Sequence, residues 1–528
     1  MHFKLSETGI LSATSQAFVE KDEKILKLLG ADHPYWHVDK AIELKSNFST
    51  ENRQVLHDNL FKAYSNISAK DPVENKVWQN IEALKNHQTF TVTTGQQLHL
   101  FIGPAFVIYK ILSVVDFCED FKKRFPDKHF VPVYWLASED HDFDEIKSTH
   151  IFKKAFNWDI EAKGACGRLP TDRVKEVIDA IRAEISLNDT QQKLLNEFES
   201  IYATSGSLSE ASRRVINKFF GALGVVVIDA DAPEFKQIFK PVIENDLFNN
   251  DNQLAFEEVS KSLEQEGLST QLNGRAINLF YLTDQRRTRI IQDGEDYTVT
   301  EGTERWTKEE IKQAFETHPE RFSPNAMLRP LFQESILPNI AYVGGNAEVT
   351  YWIQLHKTMS INNLSCPALI LRPSVWITPS KITQWLDKRA ITPLKVLITR
   401  EKTHLLNLIQ TETLGIEAET QAFFKLREKI QTTVAQNISK ELKGIVEAGK
   451  QYEKALKTIE KALRENQIEK HAKEIDKLEE IRDTYLNINN IQERKTDSLE
   501  LLIKHENVVF TIKSAVSLNN SDGWIINM

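Results

Sequence analysis

Short apolar runs alternate with longer stretches of mixed polarity through the first three quarters of the chain. Thr89–Thr93 is the first run dense in strand formers, and it stops at Gly95. Gly103-Pro104 then opens an apolar stretch, about Ala105–Asp120, that reads as a helix, with proline in the first turn where its missing N–H is not needed. Phe130–Leu136 follows as a second strand. This β-α-β order implies parallel strands joined by a right-handed crossover. Val225–Ile228 is fully apolar and ends at Asp229, as a buried parallel strand does. Further strands are expected at Ala276–Leu282, Arg289–Ile291, Ile340–Val343 and Pro367–Leu371, with a hairpin turning at Gln292–Glu295. Residues 1–86 and 233–275 are expected to be helical, 151–220 mostly helical, and Ala347–Met359 a helix, and Thr307 with Glu310 forms a capping box for another. The alternation predicts an α/β fold built on a doubly wound parallel sheet, whose ligands bind beyond the carboxyl ends of the strands.

From about Ile416 to Glu506 the pattern changes, and no proline occurs. Phe423, Leu426 and Ile430 mark one apolar face. Asn437-Ile438-Ser439 reads as a break, with Ser439 as an N-cap. Leu442, Ile445, Gly449, Tyr452, Leu456, Ile459 and Leu463 then step by three and four, the coiled-coil spacing. The phase slips near Asn466-Gln467 and resumes at Ile468, Ile475, Leu478 and Tyr485. Glu453–Lys457, Glu460–Arg464 and Glu469–Lys473 are favourable i,i+4 pairs. The expected division is a core of residues 1–415 with insertions at about 151–220 and 233–335, an antiparallel coiled-coil arm at 416–506, and a segment 507–528 returning to the core.

Composition narrows the class. A chain of 528 residues exceeds what one core supports, so two or three units are expected. The net charge of −9 gives no overall basic field for nucleic acid. Cys118, Cys166 and Cys366 lie far apart with no CxxC pair, which argues against a zinc knuckle and fits a reducing compartment. The N-terminus lacks the pattern of a signal peptide, and no run of about 18 apolar residues occurs. A cytoplasmic address, with no membrane partner, is expected.

Four polar loops at strand ends are candidates for chemistry. Thr94, Gly95, Gln96 and Gln97, with the helix opening at Gly103, suit a phosphate or carboxylate, or form an ordinary turn and cap. Within Ser138–Glu145, five carboxylates and His141 fall in the seven positions Glu139–Glu145. Such a cluster binds an ammonium, holds Mg²⁺ or positions His141 as a base, or it is simply an acidic helix start. Gly344 and Gly345 allow close backbone approach to a ligand, and Glu348 begins a helix. Arg329 and Arg372 are candidate anion holders or surface ion-pair residues.

Taken in order, these segments carry a resemblance. Thr94–Gln97 with Gly103-Pro104, Ala137–Ile146, Ser323–Asn325 with Leu328–Pro330 and Gln333, Tyr342–Gly345 with Ala347-Glu348 and Tyr351, and Asn489–Arg494 resemble the cysteine ligase family of bacillithiol biosynthesis, BshC. The match spans nearly the whole chain, with departures at Leu98-His99 and Asn346. The resemblance implies a Rossmann-like core related to nucleotidylyl transferases and class I aminoacyl-tRNA synthetases, and a homodimer formed through the coiled coil. It implies amide formation between the carboxyl of cysteine and the amino group of glucosaminyl malate, with ATP and Mg²⁺ as candidate activators. Asp140, His141 and Asp142 would then bind the cysteine ammonium or deprotonate the amine. Thr94, Gly95, Gln96, Gln97 and Gly103 would face phosphate or carboxylate oxygens, with Ser138, Glu139, Gly344 and Gly345 lining the pocket. Glu348 and Arg329 would orient sugar and malate, with malate placed near Arg329 or Arg372. The alternatives are a nucleotide-binding scaffold and a nucleotidylyl transferase with another acceptor.

Overall fold

A computed structural model describes residues 1–65, 67, 75–409, 416–437, 443–489, 491–518 and 522–528. The chain forms two compact units: residues 1–375 with 493–524, and residues 376–492 with 525–528.

The first unit is organised by a five-stranded parallel sheet. Its strands are β1 (Thr89–Gln96), β2 (His129–Leu136), β3 (Val226–Asp229), β4 (Asn339–Gly344) and β5 (Ala368–Leu371), in the spatial order β5-β4-β1-β2-β3. β1 and β2 are buried along nearly their full length. Both faces are covered, which is why these strands read as apolar runs rather than alternating ones. The chain steps outward from β1 through β2 to β3, then crosses to β4 on the other side. The order therefore reverses between β1 and β4, and their carboxyl ends open a crevice there.

Helix α1 (Phe106–Arg124) returns the chain from β1 to β2. Its face packs Val114, Phe117 and Phe121 against Phe90, Val92, Phe130, Ile340 and Val343 in one cluster. Lys122, Lys123 and Arg124 crowd its last turn, where cations complement the helix dipole. The start of α1 is covered: Ala105 N–H donates to Thr496 O at 2.8 Å, and Ser498 N–H donates to Gly103 O at 2.7 Å.

An antiparallel five-stranded sheet follows β3 in sequence and carries the expected hairpin, Arg287–Asp293 paired with Asp296–Val299. The Thr307–Glu310 capping box is present in both directions. Two features differ from expectation. The stretch at 151–220 is mostly helical as expected, but it is entered through a small hairpin that was not expected, Ser148–Ile151 paired with Lys154–Asn157. The helix expected over Ala347–Met359 is two, α2 (Asn346–Gln354) and α3 (His356–Ile361), separated at Leu355. Burial of Gln354 accounts for local geometry there: its Oε1 accepts from Gln271 N–H and Leu272 N–H at 2.8 and 3.1 Å, which draws that segment over the crevice.

In the second unit, α4 (Glu417–Asn437) and α5 (Lys443–Lys470) run antiparallel. Phe423 stacks on Tyr452 at 4.0 Å between ring centroids, and Arg427 meets Glu453 at 3.2 Å. α5 runs unbroken through Asn466-Gln467, so the slip in apolar phase does not end the helix; the break comes at His471, before α6 (Ala472–Tyr485). Asn437 closes α4, whereas Ile438, the proposed cap Ser439 and Leu442 fall outside the described residues. Among the described residues, no helix is long and apolar enough to cross a membrane.

Candidate functional site

A cavity of about 720 Å³ opens at the carboxyl ends of β1, β2 and β4. The turn after β1 and the turn after β2 form one wall. Gly95 eases the close approach of β1 and β2 at this end, because a Cβ there would sit 3.1 Å from both Cβ and O of Trp135, tighter than ordinary contact. Gln97 bridges the turns: its Nε2 donates to Asp140 Oδ2 at 2.7 Å. Gln96 and Gln97 both line the cavity, as do Ser138, Glu139, Asp140 and Glu145.

The carboxylates of this wall are individually committed. Burial alone would push the Asp140 carboxyl up, but the His141 ring, Arg287 and the N–H groups of His141 and Asp142 outweigh it and hold it at about 2. Asp140 is therefore a fixed anion and a poor proton acceptor at neutral pH. Glu139 is largely enclosed and pairs with the buried Lys236, and burial raises its pKa even so. The Ser138 hydroxyl donates to Asp229 at the end of β3. Glu145 is the exception: burial and the nearby Asp140 raise its pKa, which brings it closer to the range of a working base. Among the described residues, no three His, Cys, Asp or Glu side chains are arranged to hold a metal. Cys166 lies behind this wall, and burial pushes its thiol up to about 12.

The opposite wall is cationic. Lys110, in the second turn of α1, is almost completely buried; its Nζ donates to Gly95 O at 2.9 Å and lies 2.6 Å from Glu348 Oε2. Glu348 also accepts from Tyr342 Oη at 2.6 Å and from Gly345 N–H at 2.7 Å. Burial pushes the Glu348 carboxyl up, yet Lys110, Tyr342 and Gly345 together hold it below the ordinary carboxylate value. Arg329 donates to Gln333 Oε1 at 3.1 Å and Tyr351 Oη at 3.3 Å, and lies beside the Trp135 and Tyr342 rings. Arg372 is clamped by Glu493 at 2.6 Å. Glu493 is fully buried and also accepts from Ser374 Oγ and Val375 N–H, so it anchors the segment carrying Arg494.

The structure thus brings together Gly95, Gln96, Gln97, Ser138, Glu139, Asp140, Arg329, Gly345, Glu348 and Arg372 around one cavity. It leaves five candidates off the wall. The Thr94 hydroxyl donates to Val343 O at 2.8 Å inside the sheet. Gly103 adopts φ +90° beneath His99 and is covered by Ser498, so the α1 start does not face a ligand. Gly344 accepts from Arg372 N–H at 2.8 Å and packs on Tyr342. Asp142 caps the short helix Phe143–Ile146 through Glu145 N–H. His141 is solvent-facing, with Nδ1 3.4 Å from Asp140 Oδ1. Sequence reasoning gave no site role to Lys110, Arg287, Arg494, Tyr342 or Phe280, all on the cavity wall, although Tyr342 and Arg494 fall inside two of its motifs. Lys110 left a local signal of another kind: a single lysine inside the apolar run Phe106–Val115.

A parallel sheet whose strand ends empty into one charged crevice defines a Rossmann-like domain with a small-molecule site. Comparison with known proteins agrees. Residues 1–373 match the bacillithiol biosynthesis BshC N-terminal Rossmann-like domain, and residues 375–526 match the BshC C-terminal coiled-coil domain. The chain is 36% identical over 483 residues to a protein of Cytophaga hutchinsonii named "Putative cysteine ligase BshC", covering 89% of this chain and 88% of that one. A protein of the same name from Flavobacterium johnsoniae is 33% identical over 506 residues, 94% of this chain and 93% of its own length. The chain belongs to the BshC family of bacillithiol biosynthesis.

Proposed function

We propose that this protein is a cysteine ligase that joins the carboxyl of cysteine to the amino group of glucosaminyl malate, the last step in making bacillithiol. The observation that carries the reading is the polarity of the cavity. A fixed anion, Asp140, stands on one wall, and Arg329, Arg372 and Arg494 stand on the other. One wall suits an ammonium and the other the carboxylates of malate, so both reactants fit one enclosure. Membership in a family whose relatives bear the cysteine ligase name supports the same reading.

In this reading Asp140 holds the cysteine ammonium while Gln97 fixes its rotamer. Glu145 takes the proton that the sugar amine loses on attack, since its raised pKa suits that task better than the depressed one of Asp140. Lys110 and Glu348 form the floor beneath the acyl group. Amide formation from a free carboxylate is uphill in water, so activation is needed. ATP, with Mg²⁺, is the proposed source: the cysteine carboxylate displaces pyrophosphate, and the amine then displaces AMP. The proposed setting is the cytoplasm, and the proposed assembly is a homodimer through α4 and α5.

The test is direct. Purified protein is incubated with cysteine, glucosaminyl malate and ATP, and products are read by mass. A thiol with the mass of the two substrates less one water is expected. Pyrophosphate release that does not need cysteine would favour a nucleotidylyl transferase. No thiol product with any nucleoside triphosphate would reject the reading.

A further inference from the structure

The last of the sequence motifs, Asn489–Arg494, has a structural explanation for Glu493 but none for Arg494. The ring of Phe106 lies on the cavity wall. Three cations approach that one ring: Arg372 at 5.1 Å, Arg494 at 5.6 Å and Lys110 at 5.8 Å from its centroid. Like charges gathered in this way repel unless each has a counter-charge. Lys110 has Glu348 at 2.6 Å, and Arg372 has Glu493 at 2.6 Å, so both are internally neutralised. Among the described residues, Arg494 has no carboxylate partner and no hydrogen-bond acceptor; it is exposed and lines the cavity. Its backbone is nevertheless held firmly, because the adjoining Glu493 is completely buried and bonded on both oxygens. An uncompensated charge carried on an anchored segment and set beside an aromatic ring is how a protein presents a guanidinium to an oxyanion.

We propose that Arg494 is the specificity residue of an oxyanion subsite at Phe106, taking a carboxylate or a phosphate of the bound substrate. Arg372 borders this subsite with its charge already spent on Glu493, so Arg494 supplies the net positive charge. The inference deepens the ligase reading and, in its catalytic arm only, rests on it.

Binding is measured by calorimetry on the full-length protein at low salt, with L-malate and with inorganic pyrophosphate as separate probes. Wild type, Arg494→Gln, Arg494→Lys and a remote charge control, Arg124→Gln, are compared, with melting temperatures recorded. Arg494→Gln is expected to weaken at least one probe roughly tenfold or more, with Arg494→Lys intermediate and Arg124→Gln unchanged. Loss confined to malate assigns the subsite to an acceptor carboxylate; loss confined to pyrophosphate assigns it to a phosphate. Equal affinity of Arg494→Gln and wild type for both probes, or no binding of either by wild type, overturns the proposal. In turnover, Arg494→Gln is expected to raise KM for the substrate bearing that oxyanion more than it lowers kcat. Wild type that binds a probe through Arg494 but makes no thiol would reject the ligase reading and leave the subsite standing.

Discussion

Gln97 Nε2 donates to Asp140 Oδ2 across 2.7 Å, and this bond ties the turn after β1 to the turn after β2. Neither side chain reaches far, so the bond exists only because the two strands run parallel and in register, with Gln96 opposite Leu136. The same pairing sets the acidic turn against the cavity that Lys110 and the arginines line from the other side.

Asp140 gives a pH-dependent prediction with a definite sign. Its carboxyl is held at about 2, below the ordinary 3.8. A depressed carboxyl favours folding above its ordinary value, and that contribution is lost as the pH falls toward 2. Asp140→Asn should therefore lower stability by about 1 kcal/mol above about pH 4, a modest figure because water reaches part of the side chain. The gap should close in acid. Thermal melts at neutral and acid pH read it, and a gap of constant size would refute the assignment.

The Lys110–Glu348 pair predicts a rescue. Glu348→Gln leaves a buried ammonium without its counter-charge and should destabilise the fold by about 3 kcal/mol. Adding Lys110→Met should recover most of that loss in urea titrations. A double variant weaker than the single would show that the pair is not the source.

All three cysteines are predicted to be silent in the native state. Burial pushes Cys166 and Cys366 up to about 12 and raises Cys118 well above the ordinary thiol value, and all are buried. Without thiolate at neutral pH, alkylation should require unfolding. Rapid native labelling at any of them would contradict the packing described here.

The arm exposes apolar side chains that a lone hairpin does not cover. Ile459 and Tyr452 are each about half exposed, and Leu426 more so. Leu456→Glu with Ile459→Glu should shift sedimentation toward the monomer if α5 carries the proposed dimer contact. Unchanged sedimentation would place that contact elsewhere.

Much of the frame was legible in the sequence because each central strand is an apolar run closed by a polar loop. β1 through β5 fall within a few residues of their expected places, and the acidic and glutamine turns were marked by composition alone. What was not legible came from distance along the chain. Arg287 enters from the antiparallel sheet, and nothing local distinguishes it from a surface arginine; Arg494 enters from beyond the arm, in a motif whose spacing along the chain gives no hint that it meets the cavity. Gly103 misled for the opposite reason: the local pattern of a ligand-facing helix start is real, but residues 496–498 occupy it. His141 looked catalytic by type, but its ring lies half exposed beside Arg287 and Phe280 and does not line the cavity.

The claim on which the rest depends is that the glutamine turn and the acidic turn work as one unit. A double-mutant cycle on thiol formation measures this, using Gln97→Leu, Asp140→Asn and the pair, with melting temperatures as controls. Each single change should lower kcat/KM by about two orders of magnitude, and the pair should be little worse than the more damaged single. Losses that simply multiply in the double variant, or full activity in either single one, would contradict the account.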